Sequence, residues 1–369
     1  MILNNQEEVN IFLKKLTILS YAVSDKDFQP AMKCILFTGS KARAYNGELF
    51  IEIDMVTDFQ ALVPVIFIKF LVDVFQFPIE IITDDHHLII KNSEGSRILQ
   101  VGTLPFLDFP PVPTTNTPTR SIVLISNEST SIPIFISHLA SASKYVGKDE
   151  IQQIYRGIYI TENTMYATDG FIVLKLTSDY FPISLTELLP EAFCQMILEC
   201  CRESLFVTNL TLELNITPTH FILSVTTSEI PNLTVISAKI NVPKLPNYES
   251  IFESTAPFSN RNVVSIPRRF NTAFCSIPNV ESSRHYRLKI ENGQLEFSMN
   301  EGTVYAYREF MAPFVTSLPI ADAEIVVDQR TLNCILRECS RIEIIEIDSG
   351  MKFLRGLASD REVICSTIQ

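Results

Sequence analysis

Tryptophan is absent from this chain and glycine is scarce, 11 residues in 369. An average protein has about 7% glycine, so glycine-rich phosphate loops are disfavoured. No G-x-x-x-x-G-K-S/T, G-x-G-x-x-G or H-E-x-x-H string occurs, which removes phosphate-loop, dinucleotide and zincin chemistry. The eight cysteines contain no C-x-x-C pair, and Cys200–Cys201 are adjacent, a spacing that ordinary disulfide geometry does not allow. They read as reduced, buried small hydrophobes. Positive charge is also in deficit: Lys+Arg is 30 against Asp+Glu 42, a net charge of −12, which excludes a uniformly basic coat for nucleic acid but leaves room for a local basic lining. The most apolar stretch, 61–82, is broken by Lys69, Asp73 and Glu80, so no membrane span is expected. The first residues, MILNNQEEVNIFLKK, lack the basic head, apolar core and small-residue site of a signal peptide. An intracellular, cytoplasmic protein is the expectation.

What is present is apolar and periodic. Hydrophobic residues make up 46% and charged residues 20% of a chain long enough for two or three cores. Prolines gather at Pro105, Pro110, Pro111, Pro113 and Pro118 and again at Pro243, Pro246 and Pro257, cutting the chain into near-equal thirds. Val9, Phe12, Leu13, Leu16 and Leu19 form one stripe of a helix over 6–24. Further helices are expected over 63–77, 132–145, 185–203, 266–276 and 328–340. Their starts recur as 6, 132, 266 and 63, 185, 328, a domain-sized repeat. Alternating segments follow: CILFTGSKARAYNGELFIEID, RGIYITENTMYATDGFIVLKL and YRLKIENGQLEFSMNEG, each read as a two-strand antiparallel unit. The pattern is an α+β fold of three repeated domains, each with two helices on antiparallel sheet, with boundaries at 1–119, 120–250 and 251–369.

Three motifs then stand in order. Gly102-Thr-Leu-Pro-Phe-Leu-Asp-Phe-Pro110, Tyr166-Ala-Thr-Asp-Gly170 and Leu245-Pro-Asn-Tyr248 resemble the T-L-P-x-x-D-F-P, A-T-D-G-H-R and F-P-D-Y elements of the bacterial DNA polymerase III β subunit, the replicative sliding clamp. The resemblance runs over essentially the whole chain. It implies a head-to-tail homodimer whose six domains form a ring around double-stranded DNA, with helices lining the hole, and with a DNA polymerase and a clamp loader as partners. A ring held by topology needs no base readout and no tight phosphate grip. The lining residues it implies are Lys14, Lys15, Lys69, Lys144, Lys148, Arg202, Arg268, Arg269, Arg330 and Arg337, with Arg284 and Arg287 as further basic positions. Each also fits a solvated helix face or a structural ion pair.

The family's second site takes a short peptide motif between domains two and three. Matching positions are Tyr155, Thr168, Gly170, Phe171, Ile172, Val173, Pro246, Ser250, Ile251, Val363, Ile364 and Cys365. Three departures stand out: the His-Arg after A-T-D-G is Phe171-Ile172, the Arg after P-D-Y is Ser250, and the M-P-x-R-L ending is Cys365-Ser-Thr-Ile-Gln369. Polar handles have given way to apolar surface, so a different motif is expected. A diverged host's clamp, or one from a phage or other mobile element, would carry such drift; decay of the pocket into core packing is the bland alternative.

No enzymatic activity, cofactor or metal is expected. The five histidines offer no nucleophile–base–acid spacing, and Asp84-Asp85-His86-His87 reads as a solvated hairpin turn rather than a metal site. Asp169 reads as the turn residue before glycine. Two functions stay open: a DNA-encircling processivity factor, and a clamp-derived interaction protein that binds partner peptides without loading on DNA. A Cys- or His-dependent hydrolase on an unrelated fold is residual.

Overall fold

The computed structural model describes residues 1–24, 29–68, 78–84, 86–92, 94–125, 131–147, 152–179, 181, 183–185, 187–204, 211–227, 230, 232–242, 245–258, 264–265, 285–291, 294–300, 309–311 and 323–366. The chain divides into two compact units, Met1–Ile136 with Pro190–Lys239 and Ser137–Leu189 with Ile240–Gln369. The described helices of eight or more residues are α1 (Gln6–Ser20), α2 (Ser131–Ala142), α3 (Glu191–Ser204), α4 (Tyr248–Thr255) and α5 (Gln329–Glu338).

In the first unit, α1 starts where Asn5 accepts a hydrogen bond from the Glu8 N–H at 3.0 Å and the Glu8 carboxylate accepts from the Asn4 N–H at 2.7 Å. These bonds satisfy N–H groups that a helix start otherwise leaves without partners. Val9, Phe12, Leu16 and Leu19 are buried as the periodicity requires. An eight-stranded antiparallel sheet runs in the spatial order Gln60–Pro64, Cys34–Thr38, Lys41–Tyr45, Leu49–Asp54, Leu233–Ala238, His220–Thr226, Thr211–Ile216, Arg120–Ile125. Its seam pairs Leu49–Asp54 with Leu233–Ala238, segments from the first and second sequence thirds.

The second unit repeats this plan. Its eight strands are ordered Leu189–Pro190, Gly157–Ile160, Thr164–Thr168, Ile172–Thr177, Arg361–Ser366, Lys352–Leu357, Arg341–Glu346, Val264–Ser265. Here the seam pairs Ile172–Thr177 with Arg361–Ser366. Each unit also has a four-stranded sheet: Ile2–Leu3, Ile79–Thr83, His87–Asn92 and Ile98–Gly102 in the first, and Glu309–Met311, Gln294–Asn300, His285–Glu291 and Ala323–Asp328 in the second. The architecture is α+β with antiparallel sheets in repeated domains.

Several local expectations need correction. The first two hairpin units have three strands each, because Asn46-Gly47 and Asp169-Gly170 add a second turn; Gly47 and Gly170 have φ of +94° and +95°, the left-handed region that glycine enters without strain. The helix expected from Val63 does not start there: Ile35 pairs with Val63 and Cys34 with Pro64 in the sheet, and 69–77 lie outside the described residues. The helix expected from Leu185 starts at Glu191. Pro190 pushes the residue before it away from helical backbone, and Leu189–Pro190 is extended. The expected helix over 266–276 lies outside the described residues. At α5, Asp328 caps the helix, its carboxylate accepting from the Thr331 N–H at 2.8 Å.

Candidate docking site on the second unit

Strand parity gives the second unit's large sheet two chemically distinct faces. Met165, Ile172, Leu174, Val363, Cys365, Leu354 and Ile342 point to one, and all are buried. Helix α5 closes that face so tightly that a Cβ on Gly356 would lie 2.7 Å from Cys339 Sγ and 2.9 Å from Ile335 Cγ2.

The opposite face has Tyr159, Tyr166, Val173, Lys175, Ile364, Phe353 and Arg355, and α4 lies on it. Asn247 caps α4 by accepting from the Ser250 N–H at 3.3 Å. Its buried residues, Tyr248, Phe252 and Thr255, recur at the helical interval. Tyr248 stacks on Tyr166 with centroids 5.5 Å apart, Tyr166 on Tyr159 at 6.2 Å, and Phe252 tilts against Tyr166 at 6.3 Å. Ile364 completes the buried cluster, with Val173, Ile251 and Phe353 half-buried around it. Such ring pairs contribute about 0.5–1.5 kcal/mol each beyond buried area.

A polar clamp fixes the helix in place. Lys175 Nζ donates to both Glu249 oxygens at 2.6 and 2.8 Å and sits 5.3 Å from the centre of the Phe252 ring. The Tyr166 hydroxyl donates to the same carboxylate. Burial pushes the Glu249 carboxyl upward, but the bonds from Lys175 and Tyr166 outweigh it and hold the group below the usual carboxylate range. Burial, then the Glu249 contact, push the Tyr166 phenol up. Beside this clamp Arg355 bridges Glu362, at 2.5 Å, and the fully buried Glu343, at 3.3 Å.

The turn after Thr164–Thr168 borders the patch. Asp169 Oδ1 accepts from the Phe171 and Ile172 N–H groups at 3.0 and 2.9 Å, and its other oxygen pairs with Arg330 at 2.6 Å. One oxygen therefore organises the turn and the other ties it to α5. The Thr168 hydroxyl accepts from the Gly170 N–H at 3.0 Å. Tyr155 lies against Gly170, where a Cβ would be 2.9 Å from its ring. Phe171 is 71% exposed, and its carbonyl accepts from the Ser366 N–H at 3.0 Å.

The predicted peptide positions thus fall into sets. Tyr155, Thr168, Gly170 and Phe171 form the turn and its support, and Val173, Ile251 and Ile364 share the α4 face, with Pro246 and Ser250 on the approach to and first turn of that helix. Ile172, Val363 and Cys365 point to the opposite face and are packed into the core. Sequence reasoning missed Tyr159, Lys175, Tyr248, Glu249, Phe252 and Phe353; the period-2 run through Tyr159 and Lys175 marks strands but not which strands meet.

No protein-family model matches the sequence, and no curated protein matches it. Solved structures do. A DNA polymerase sliding clamp from Pseudomonas aeruginosa matches with a TM-score of 0.72 and 16% identity, over 100% of this chain and 99% of that one. The DNA polymerase III β subunit from Thermotoga maritima matches at 0.75 and 16%, over 98% of each. The clamp from Bartonella birtlesii, solved bound to griselimycin, matches at 0.75 and 15%, over 100% and 99%. This chain has the sliding-clamp fold.

Within that clamp fold the basic positions are largely engaged. Lys15 Nζ donates to the Asp54 carbonyl at 2.9 Å, and desolvation lowers its pKa. Lys144 pairs with Glu338 at 3.2 Å, Arg330 with Asp169, and Arg287 with Glu324 at 3.1 Å across neighbouring strands. Lys14 is half-buried on α1 and Arg337 exposed on α5. Arg202 falls in the last turn of α3. Lys69, Lys148, Arg268, Arg269 and Arg284 lie outside the described residues. At the His86-His87 turn, Asp84 accepts from both histidine N–H groups, at 2.8 and 2.7 Å, so its carboxylate organises the turn; Asp85 lies outside the described residues. Among the described residues no three His, Cys, Asp or Glu side chains converge as metal ligands would, and no helix is long and apolar enough to cross a membrane.

Proposed function

We propose that this protein is a DNA sliding clamp, a cytoplasmic, non-catalytic processivity factor. Its domains, 1–119, 120–250 and 251–369, form half of a homodimeric ring around double-stranded DNA, opened by a clamp loader, and the face beside α4 tethers the replicative polymerase and other partners. The observation that carries this reading is the agreement in fold with sliding clamps over 98–100% of both chains. A net charge of −12 suits such a ring, since tight phosphate contacts would oppose sliding.

A second reading, a peptide-binding relative that does not load on DNA, is favoured by one feature: Lys15, Lys144, Arg287 and Arg330 already have partners within the chain. The two separate in a retention assay. The protein is loaded with a matching clamp loader on closed circular DNA and gel-filtered before and after one restriction cut. Retention on the circle with release on linearisation is the result expected of a ring; absence from the circle, with peptide binding intact, would favour the second reading. Reversing charge at Lys14 and Arg337 should weaken retention without touching the docking face, which lies on other elements.

A further inference from the structure

We infer that a polar latch joins α2 to α5 and parts before the rest of the second unit, and that α5 carries the state of the latch to the turn after Thr164–Thr168. The latch is built around the last residue of α5. The Glu338 carboxylate, nearly buried, accepts from Lys144 Nζ at 3.2 Å, from the Ser141 hydroxyl at 3.3 Å and from Arg361 at 2.5 Å. Arg361 also holds Asp360 at 2.9 Å, and His138, only 4% exposed, has Nε2 3.4 Å from the same Asp360 oxygen, its ring edge-on to Phe181. An acid in the last turn of a helix opposes the helix dipole, so Glu338 is kept in place by these partners rather than by α5 itself.

The first unit has the same joint in apolar form. An offset of 126 residues lays buried Val9, Phe12, Leu16 and Leu19 of α1 on buried Phe135, His138, Ala142 and Tyr145, so Phe12 and Ile18 stand where His138 and Lys144 do. The Asn232 carbonyl accepts from the Asp54 N–H at 3.1 Å as the Asp360 carbonyl accepts from the Thr177 N–H at 2.8 Å, which puts Asn232 and Leu233 in the places of Asp360 and Arg361. Cys200 is the tenth residue of α3, as Glu338 is of α5. Phe12, Ile18, Cys200 and Leu233 are all buried; the polar exceptions, Lys15 and Asn232, both bond to Asp54. Parting the first joint exposes apolar surface to water. Parting the second returns charged groups to water, which offsets much of what their pairing contributes. The second joint therefore opens at the lower cost.

Helix α5 links the latch to the turn. Mid-helix, the Tyr145 hydroxyl donates to the Cys334 carbonyl at 3.1 Å, and in the first turn Arg330 pairs with Asp169 at 2.6 Å. Asp169 in turn holds the Phe171 and Ile172 N–H groups. A shift of α5 at its Glu338 end draws Arg330 from Asp169, and the carboxylate that organises the turn loses its anchor. In the function proposed above this turn borders the docking face, so the latch sets how rigid that border is; the inference itself needs only these contacts within the second unit.

The test is hydrogen exchange on the full chain, resolved to single amides and expressed as protection factors. Amides at the ends of α2 and α5 should be less protected than those at the matching positions of α1 and α3. Glu338→Gln should speed exchange at the end of α5 and at Phe171 and Ile172 by roughly tenfold. Arg330→Met should speed the two turn amides but not the end of α2, and the double variant should be no faster at the turn than Arg330→Met alone. His138→Phe, which copies the first unit, should slow all three segments, so the inference stays testable if Glu338→Gln fails to fold. An unchanged turn in Glu338→Gln, additive effects in the double variant, or equal protection at the two joints would overturn it. Neither DNA retention nor peptide binding enters the readout, so failure here and failure of the proposed function are separate results.

Discussion

Gly170 shows how one residue holds the candidate docking corner together. Its φ of +95° lies where an L side chain is strained, and a Cβ there would also press on the Tyr155 ring at 2.9 Å. Backbone strain of this kind costs about 1–3 kcal/mol. Gly170→Ala should therefore lower the unfolding free energy by about that amount, read from the midpoint of a denaturant titration. Because the strained turn leads directly into Phe171, the variant should also weaken peptide binding by more than Gly350→Ala, made at another positive-φ glycine with nothing within 4 Å of a built Cβ. Equal losses at the two glycines would mean that the Tyr155 contact does not matter. The motif around Gly170 was legible in the sequence as a turn. That Asp169 would pair with Arg330, 161 positions away in the numbering, was not, because sequence spacing carries no information on which helix end meets which turn.

Among the elements, α4 is the one least visible beforehand. Eight residues are too few for periodicity to announce a helix, and its burial follows from Tyr166 and Ile364 on strands far away in the chain. By contrast α1 was legible, because its stripe spans several turns and its cap is local. Only the end of the strand Gln60–Pro64, from Val63, reads from the sequence as a helix start, since a buried strand and a buried helix segment are both continuously apolar. What α4 lacks in length it gains from the Lys175–Glu249–Tyr166 clamp, and this makes its attachment dependent on pH. The Glu249 pKa is depressed in the fold, so the clamp's contribution is fully present above the ordinary carboxylate value of about 4.3. It is lost as pH falls through the lower folded value. Comparing melting temperatures of the native chain and Glu249→Gln across pH should show a gap at neutral pH that closes towards strongly acidic pH. A gap that persisted unchanged in acid would assign the effect to packing rather than to the ion pair.

For the molecule as a whole, the sequence repeat and the compact units follow different divisions. Helix starts and proline clusters mark thirds, yet each eight-stranded sheet crosses between them, and the middle third contributes 120–136 and 190–239 to one unit and 137–189 and 240–250 to the other. Both seams are long-range pairings: Leu49–Asp54 on Leu233–Ala238, and Ile172–Thr177 on Arg361–Ser366. Periodicity identifies the strands, but nothing local in either partner specifies the other, which is why individual strands were readable and the seams were not. The seams also make the middle third a poor independent body. Excised as 120–250, it would expose Ile172–Thr177 and Leu233–Ala238 as unprotected sheet edges, each with buried side chains on at least one face. Such edges recruit other strands. The fragment should therefore elute from gel filtration as broad oligomers and unfold without a sharp transition, while the full chain remains discrete. Adding a charge at an inward position of the exposed edge, Leu174→Lys, should reduce the fragment's association but destabilise the full chain, where Leu174 is buried against the core. A monodisperse fragment with a cooperative melt would show instead that the seams are docking contacts between bodies that already fold alone.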